Sequence, residues 1–267
     1  MSKASNNIFS KLGRAATAAV IATGLLIASP AWSAPEVVQD ETYHALVIGL
    51  KSTTRTEEER RRDPARKPIE TLQFFGLKPD MTVLELIPGS GWYTKVLGHS
   101  LKKEGKLYVG VGTDRIDGKL EDWGLPDVEL ISTDTEFKKT DIQYVYNLEN
   151  INLNVENVDM ALTFRNAHNL TPEARAELNK QVFAALKPGG IYGVVDHTRR
   201  HMQPYTRPVW RRLDPVIIIK EALDAGFEFV DYSDVHYQPE DNLQLDTRDE
   251  NFEGPSDRFT LKFRKPL

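Results

Sequence analysis

The sequence contains no cysteine. This absence excludes thiol nucleophiles, cysteine-ligated zinc and iron–sulfur clusters, and an α/β chain of this length can bury enough apolar surface without disulfides. A surplus of basic residues is also missing, because Lys and Arg total 34 against 39 Asp and Glu. Nucleic-acid binding needs a basic surface that replaces counterions, so a nucleic-acid partner is not expected. After residue 28 no uncharged segment approaches the ~20 residues of a membrane-spanning helix.

Residues 1–33 have the pattern of a secretory signal peptide. An apolar run over residues 15–28 precedes Pro30 and small residues, and the basic residues before or within it are Lys3, Lys11 and Arg14. Cleavage after Ser33 places small residues at both recognition positions, whereas cleavage after Ala34 would place Trp32 at one of them. The alternative is an uncleaved membrane anchor, for which the run is short. We therefore expect an exported, periplasmic protein without a membrane span after signal removal.

The remaining chain, about 234 residues, suits one core. Residues 34–70 are rich in charge and are interrupted by Pro64 and Pro68, and we expect them to form an N-terminal helical cap on a domain spanning 71–267. Within the cap, the basic segment 60–67 has two interpretations. It is either a clamp for an anionic substrate or a solvated helix face held by salt bridges.

Hydrophobic patterning predicts alternating strands and helices over residues 71–267. Helices are predicted at 92–103, from the N-cap Thr171 to the segment 187–190, and from the N-cap Asp214 to Gly226. Strands are predicted at 82–87, 106–111, 128–132, 158–164, 191–195, 227–232 and 258–263. Strands separated by helices indicate a doubly wound α/β fold, and the last two strands can pair as an antiparallel edge. The expected sheet is mixed and seven-stranded, with ligands bound beyond the carboxyl ends of its strands.

The sharpest local motif is a glycine turn between the first strand and the first helix of this domain. Glu85 lies in the strand, and Gly89 and Gly91 follow it in a Gly-x-Gly pattern directly before the helix begins. Glycine lets a ligand approach the backbone because no Cβ intervenes. The alternative is that the glycines serve only the geometry of the turn.

These residues carry a family resemblance that covers about residues 55–266. The chain resembles the class I S-adenosylmethionine-dependent methyltransferases and, more closely, a bacterial group of exported methyltransferase-like proteins. The segments that carry it are the glycine turn with 92–94 (WYT), 62–68 (RDPARKP), 162–169 (LTFRNAHN), 186–190 (LKPGG), 194–197 (VVDH), 212–215 (RLDP), 225–227 (AGF) and 257–266 (DRFTLKFRKP).

The resemblance implies a Rossmann-like methyltransferase fold and S-adenosylmethionine as cofactor. The expected partner is a small-molecule ligand, and the sequence does not identify the methyl acceptor. The wider family has an acid where this chain has Gly112, and Asp114 lies two residues later and is expected to replace it. The cofactor-binding residues that it implies are Glu85, Pro88, Gly89, Ser90, Gly91, Asp114 and Asp134.

Two histidines follow predicted strands and are the candidates for proton transfer. A histidine titrates near neutrality and can serve as a general base. We therefore predict that His168, His197 and Asn166 share one cleft with Glu85, and that the Tyr93 hydroxyl also faces it; His168, His197, Asn166 and Tyr93 are the catalytic candidates. The alternative is that these side chains only hold loops in place. No sharp metal motif is present, so no metal is predicted.

Two other classes of function remain open. One is a non-catalytic methyltransferase-like protein that binds a small ligand or a partner in the periplasm. The other is an enzyme of different chemistry built on the two histidines.

Overall fold

A computed structural model describes residues 37–267, so the predicted signal peptide, residues 1–33, lies outside the described residues. Seven strands form the central sheet, and two more form a separate hairpin. The strands are β1 Thr82–Leu86, β2 Lys106–Gly110, β3 Glu129–Ile131, β4 Glu136–Lys139, β5 Tyr146–Glu149, β6 Val158–Phe164, β7 Leu186–His197, β8 Glu228–Ser233 and β9 Arg258–Arg264. The helices are α1 Glu41–Lys51, α2 Glu57–Arg61, α3 Asp63–Arg66, α4 Pro68–Phe75, α5 Trp92–Leu101, α6 Pro172–Ala185 and α7 Pro215–Asp224.

The sheet has the order β3-β2-β1-β6-β7-β9-β8. The first five of these strands are parallel, and β9 pairs antiparallel with both β7 and β8. Helices cover both faces of the sheet. On one face α1, α4 and α5 contribute to a hydrophobic cluster that includes Leu46, Phe75 and Val96, and on the other face α6 and α7 contribute to a second cluster. The prediction of a doubly wound, mixed seven-stranded sheet is confirmed. Within residues 37–267, no helix is both long and apolar enough to span a membrane.

Caps and prolines set the starts of the long helices as predicted. Thr171 accepts a hydrogen bond from the Ala174 amide, and Asp214 accepts one from the Val216 amide. Each residue precedes a proline at the first helical position, where the missing amide hydrogen costs nothing.

Two parts of the sheet differ from the prediction. The segment 187–190, expected to end α6, instead begins β7, because the Gly189 amide donates to the Lys265 carbonyl and the Lys265 amide donates to the Gly190 carbonyl. The hairpin β4–β5 was not predicted at all. Its strands are largely exposed and only four residues long, and the alternation of apolar and polar residues in β5 is too short to mark a strand.

The region predicted to form a helical cap contains α1 to α3 and the start of α4, which continues to Phe75. Its basic segment is mostly engaged within the protein. Arg55 pairs with Asp63 at 2.5 Å, Arg62 pairs with Glu58, and the Arg66 guanidinium lies 4.3 Å from the centre of the Trp92 ring. These contacts favour the salt-bridged helix face over the clamp.

Candidate functional site

The carboxyl edge of the sheet is marked by strained backbone. The residues that directly follow β1, β2 and β6 are Ile87, Val111 and Arg165, and their φ angles are 53°, 67° and 61°. Left-handed backbone is unfavourable for β-branched residues such as Ile and Val. Strain of this kind is held by the surrounding structure and is concentrated at binding and catalytic sites.

The glycine turn is open at one glycine and closed at the other. A Cβ added to Gly89 would meet no atom within 4 Å, whereas one added to Gly91 would lie 2.5 Å from the Trp123 ring. Both residues have positive φ angles. At the end of β2, a Cβ on Gly112 would lie 2.8 Å from the Phe137 ring. Only the Gly89 part of the turn therefore offers free space to a ligand.

Glu85 does not line the cleft that contains the histidines. It is 2% exposed, and the Thr94 hydroxyl on α5 donates a hydrogen bond of 2.6 Å to its carboxylate. Burial raises the pKa of Glu85 to about 7, while the Thr94 hydrogen bond and the charge of Arg66 oppose this shift. The predicted placement of Glu85 in the shared cleft is therefore wrong. The cause is the strand period, which puts Glu85 on the same face as Val83, beneath α5.

Tyr93 is also buried, and its ring stacks on Phe164 with 3.5 Å between the ring centres. It is not among the residues that line the cleft, contrary to the prediction for its hydroxyl. Burial raises the pKa of Tyr93, although the nearby Arg66, Arg165 and Arg258 act in the opposite direction.

The remaining cofactor candidates occupy different surroundings. Pro88 is buried within the turn, whereas Ser90, Asp114 and Asp134 are exposed. The two aspartates follow β2 and β3, so both lie toward the carboxyl edge beside the glycine turn.

The two histidines meet around a buried aspartate at the end of β7. His168 Nδ1 lies 2.6 Å from Asp196 Oδ1, and the backbone amides of His168 and His197 also donate to this carboxylate. The imidazole centres are 5.4 Å apart. Asp196 is fully buried and fixes the orientation of the His168 ring, which leaves Nε2 as the nitrogen available to a ligand.

His197 differs from His168 in its partner. Its Nδ1 lies 2.7 Å from the Ser256 hydroxyl oxygen. Burial lowers the pKa of His197 well below its ordinary value, and His168 and nearby arginines add to this effect. His197 is therefore neutral at physiological pH.

Both histidines and Asn166 line one cleft of about 1030 Å³, which confirms this part of the prediction. Among residues 37–267, five arginines line the same cleft and no aspartate or glutamate does; these arginines are Arg115, Arg165, Arg211, Arg248 and Arg258. Burial lowers the pKa of Arg258 to about 10, and the charge of Arg165 contributes to the shift. A cleft with this lining has a strongly positive potential.

His168, Asp196 and His197 present ligand atoms that lie within 4.8 Å of one another. His168 Nδ1 is already engaged by Asp196, and Arg165 and Arg258 act electrostatically on this group. Neighbouring guanidinium groups repel a cation. The arrangement is therefore poorly suited to holding a metal ion.

Asn166 joins the two parts of the sheet edge. Its Nδ2 donates to the Ile87 carbonyl at 2.8 Å and to the Phe164 carbonyl at 3.1 Å. The side chain thereby ties the loop after β6 to the glycine turn after β1. Its amide hydrogens are committed to the backbone, which makes Asn166 a positioning residue.

Sequence reasoning missed several residues of this site. Arg258 and Ser256 enter it because β9 runs antiparallel, so its beginning lies at the edge where the parallel strands end. Arg115 and Arg248 come from loops, and no sequence signal distinguished them from surface arginines. His236, which was also not singled out, is buried between Thr260 and the Arg66 carbonyl, and burial lowers its pKa to about 3.

Comparison with known proteins identifies the fold. No protein-family model matches the chain. No curated protein matches its sequence. Among solved structures, a SAM-dependent methyltransferase from Aquifex aeolicus is similar with a TM-score of 0.52 and 20% identity, over 76% of this chain and 92% of that one. The [4+2]-cyclase SpnF is similar with a TM-score of 0.53 and 14% identity, over 88% of this chain and 97% of that one.

These similarities show that the chain has the class I methyltransferase fold, which the sequence resemblance predicted. SpnF bears the name of a cyclase, so the same fold also serves a different reaction.

Proposed function

We propose that this protein is an S-adenosylmethionine-dependent methyltransferase of the bacterial cell envelope. One observation carries the proposal: an open glycine turn and a histidine oriented by aspartate lie at the same edge of a methyltransferase-type sheet. Asn166 connects them through its hydrogen bond to the Ile87 carbonyl. The fold of the Aquifex aeolicus methyltransferase supports this assignment.

The residues beside the turn fit the cofactor. The space over Gly89 admits a ligand against the backbone, and Ser90, Asp114 and Asp134 are exposed at the ends of the adjacent strands. The resemblance assigns these residues to S-adenosylmethionine. When bound, the cofactor supplies an electrophilic methyl group.

The protein's own part is to position the acceptor and to accept a proton where the acceptor carries one. Asp196 holds the His168 ring through Nδ1, so Nε2 is the basic atom in the cleft. Holding the reactants in place provides most of the rate gain in a displacement at carbon. A correctly placed base adds ~10²–10⁴-fold.

Calorimetry with S-adenosylmethionine and its demethylated product tests the proposal. We expect binding in the wild type and a clear loss of affinity in Gly89→Ala, because the new Cβ enters the ligand space. Gly118→Ala is the matched control, since Gly118 also has a positive φ and no atom within 4 Å of an added Cβ. Absence of binding, or equal affinity in both variants, would contradict the proposed cofactor site.

A second candidate is a ligand-binding protein without methyl transfer. The specific observation in its favour is that the Trp123 and Phe137 rings lie against Gly91 and Gly112. The same calorimetry separates the candidates, because this one predicts no heat with either compound.

The proposed envelope location depends on the leader. Sequencing the amino terminus of protein recovered from the periplasm should show a chain that begins at or near Ala34. A chain beginning at Met1 and confined to the cytosol would contradict this part of the proposal.

A further inference from the structure

Ion pairs with carboxylates are rarer among the arginines of the cleft than among the other arginines of residues 37–267. Of the eleven arginines in residues 37–267 that do not line the cleft, six form ion pairs with carboxylates: Arg55, Arg61, Arg62, Arg175, Arg212 and Arg264. Of the five cleft arginines only Arg211 forms an ion pair, with 3.7 Å between its Nη1 and Asp246 Oδ1. The other four, Arg115, Arg165, Arg248 and Arg258, form no ion pair with a carboxylate of residues 37–267.

Arg165 and Arg258 carry the positive charge at the base of the cleft. The side chain of Arg165 makes no hydrogen bond or ion pair with any residue in the described range 37–267. Arg258 is 8% exposed, and its guanidinium donates to the Ala65 carbonyl and to the Ser256 hydroxyl. Asp196 lies near both arginines, but its carboxylate already accepts hydrogen bonds from His168 and His197.

Burying a charge without a partner is costly, so such groups in folded proteins are normally paired. Burial lowers the pKa of both arginines; the charge of Arg165 adds to the shift of Arg258, and the charges of Arg62 and Arg248 add to that of Arg165. A bound anion would remove both costs at once. Arginine forms strong bidentate hydrogen bonds with carboxylates and phosphates, which fits it for this task.

The outer part of the cleft is also lined by positively charged arginines. Arg115 and Arg248 are exposed, and their side chains make no ion pair within residues 37–267. Arg211 lies over the Trp210 ring, 4.3 Å from its centre, and Tyr144 stacks on the same indole. Positive charge therefore extends from the rim to the base of the cleft.

We propose that the cleft binds a small anionic molecule bearing at least two carboxylate or phosphate charges, held by Arg165 and Arg258 at its base and by Arg248 at its rim. The claim that this molecule is the methyl acceptor rests on the proposed function. The claim that it binds in the cleft does not. The inference concerns the class of ligand, and His168 Nε2 is the atom placed to receive a proton from it.

Calorimetry at constant ionic strength tests the inference, with inorganic pyrophosphate and citrate as the probes. We expect at least one probe to bind the wild type, and the preferred probe identifies the phosphate or the carboxylate class. Loss of a charged hydrogen-bond donor should weaken binding ~10–100-fold in Arg165→Gln. Arg248→Gln should weaken it less, because Arg248 is exposed.

Arg264→Gln is the matched control. Arg264 lies at the far end of β9 from Arg258, is exposed and pairs with Glu228, so the same change of charge should leave anion binding unaltered. Circular dichroism checks the fold of every variant. If Arg165→Gln does not fold, the anion affinity of Arg248→Gln compared with that of Arg264→Gln tests the inference.

No binding of either probe to the wild type would overturn the inference, as would equal weakening by Arg248→Gln and Arg264→Gln. Separate titration with S-adenosylmethionine distinguishes the two proposals. Anion binding without cofactor binding would reject the methyltransferase and keep the anion site. Cofactor binding without anion binding would reject the anion site and keep the methyltransferase proposal.

Discussion

At the ends of β1 and β2 the Trp123 and Phe137 rings cover much of the sheet edge, whereas at the ends of β6 and β7 the edge opens into a cleft lined by arginine and histidine. The first region carries the most recognisable sequence motif. The second carries most of the accessible polar chemistry. The difference teaches that a motif locates the edge where a site is built, while the opening at that edge is determined by side chains distant in the sequence.

Asp196→Ala should break the polar region and have the largest effect on stability. It leaves three donors around the buried carboxylate without an acceptor, and loss of such a network costs ~3–5 kcal/mol. Urea denaturation measures the change. Asp159→Ala is the control, because Asp159 on β6 accepts from the Thr82 amide but is less buried, and its loss should cost about 1 kcal/mol. Equal losses of unfolding free energy in the two variants would show that Asp196 stabilises the fold no more than Asp159 does.

Gly91→Val and Gly89→Val test whether the glycine turn is closed at one residue and open at the other. Each variant places a β-branched residue at a positive φ, which costs roughly 1–2 kcal/mol. Only at Gly91 does the new side chain also meet the Trp123 ring, and overpacking adds ~1–3 kcal/mol. Urea denaturation should therefore show a greater loss for Gly91→Val. The same loss in both would mean that Trp123 moves aside freely.

Glu85→Gln tests the buried acid through the dependence of stability on pH. Unfolded Glu85 ionises near its ordinary pKa of 4.5, but the folded protein keeps this proton until about pH 7. Between these values the folded state binds more protons, so the contribution of Glu85 to stability falls as pH rises and stays low above pH 7. The wild type should lose up to about 3 kcal/mol relative to Glu85→Gln between pH 4.5 and pH 8.

Unfolding free energies of both proteins at pH 5 and pH 8 measure this effect. His197 and His236, whose pKa values are lowered, make stability fall as pH drops below about 6.5. Their contribution is present in both proteins and cancels in the difference. A difference that does not vary with pH would show that Glu85 ionises normally.

Asn166→Ala should have the smallest effect of these changes, because it removes two hydrogen bonds of a partly buried side chain. We expect a loss of about 1–2 kcal/mol. The loss should be accompanied by faster amide exchange in the glycine turn, since Asn166 holds the Ile87 carbonyl. Unchanged exchange at residues 87–91 would mean that the two regions of the edge are independent.

The sequence supported a correct prediction of the central sheet, because apolar strands, helix caps and turn glycines act locally. It did not reveal β4–β5, whose strands are mostly exposed. At the site, His168, His197 and Asn166 were placed correctly, because Asn166 and His168 follow β6 and His197 ends β7, and these two strands are parallel. Glu85 was misplaced, since its face depends on the alternation along β1.

The arginine lining could not be predicted from residue type. Arginine is common on surfaces, and its role depends on which loops converge. Arg258 reaches the cleft only because β9 inserts between β7 and β8, a pairing that depends on contacts far apart in the sequence.

The position of β9 also determines when the protein can become functional during its synthesis. It follows the other six strands of this sheet in sequence and emerges from the ribosome after them, yet it lies inside the sheet. Until it is made, a nascent chain exposes the unpaired hydrogen-bonding side of β7, a surface prone to aggregation. The same strand begins with Arg258, directly after Ser256 and Asp257. The final step that closes the sheet therefore also completes the cleft, so a truncated chain would lose solubility and ligand binding together.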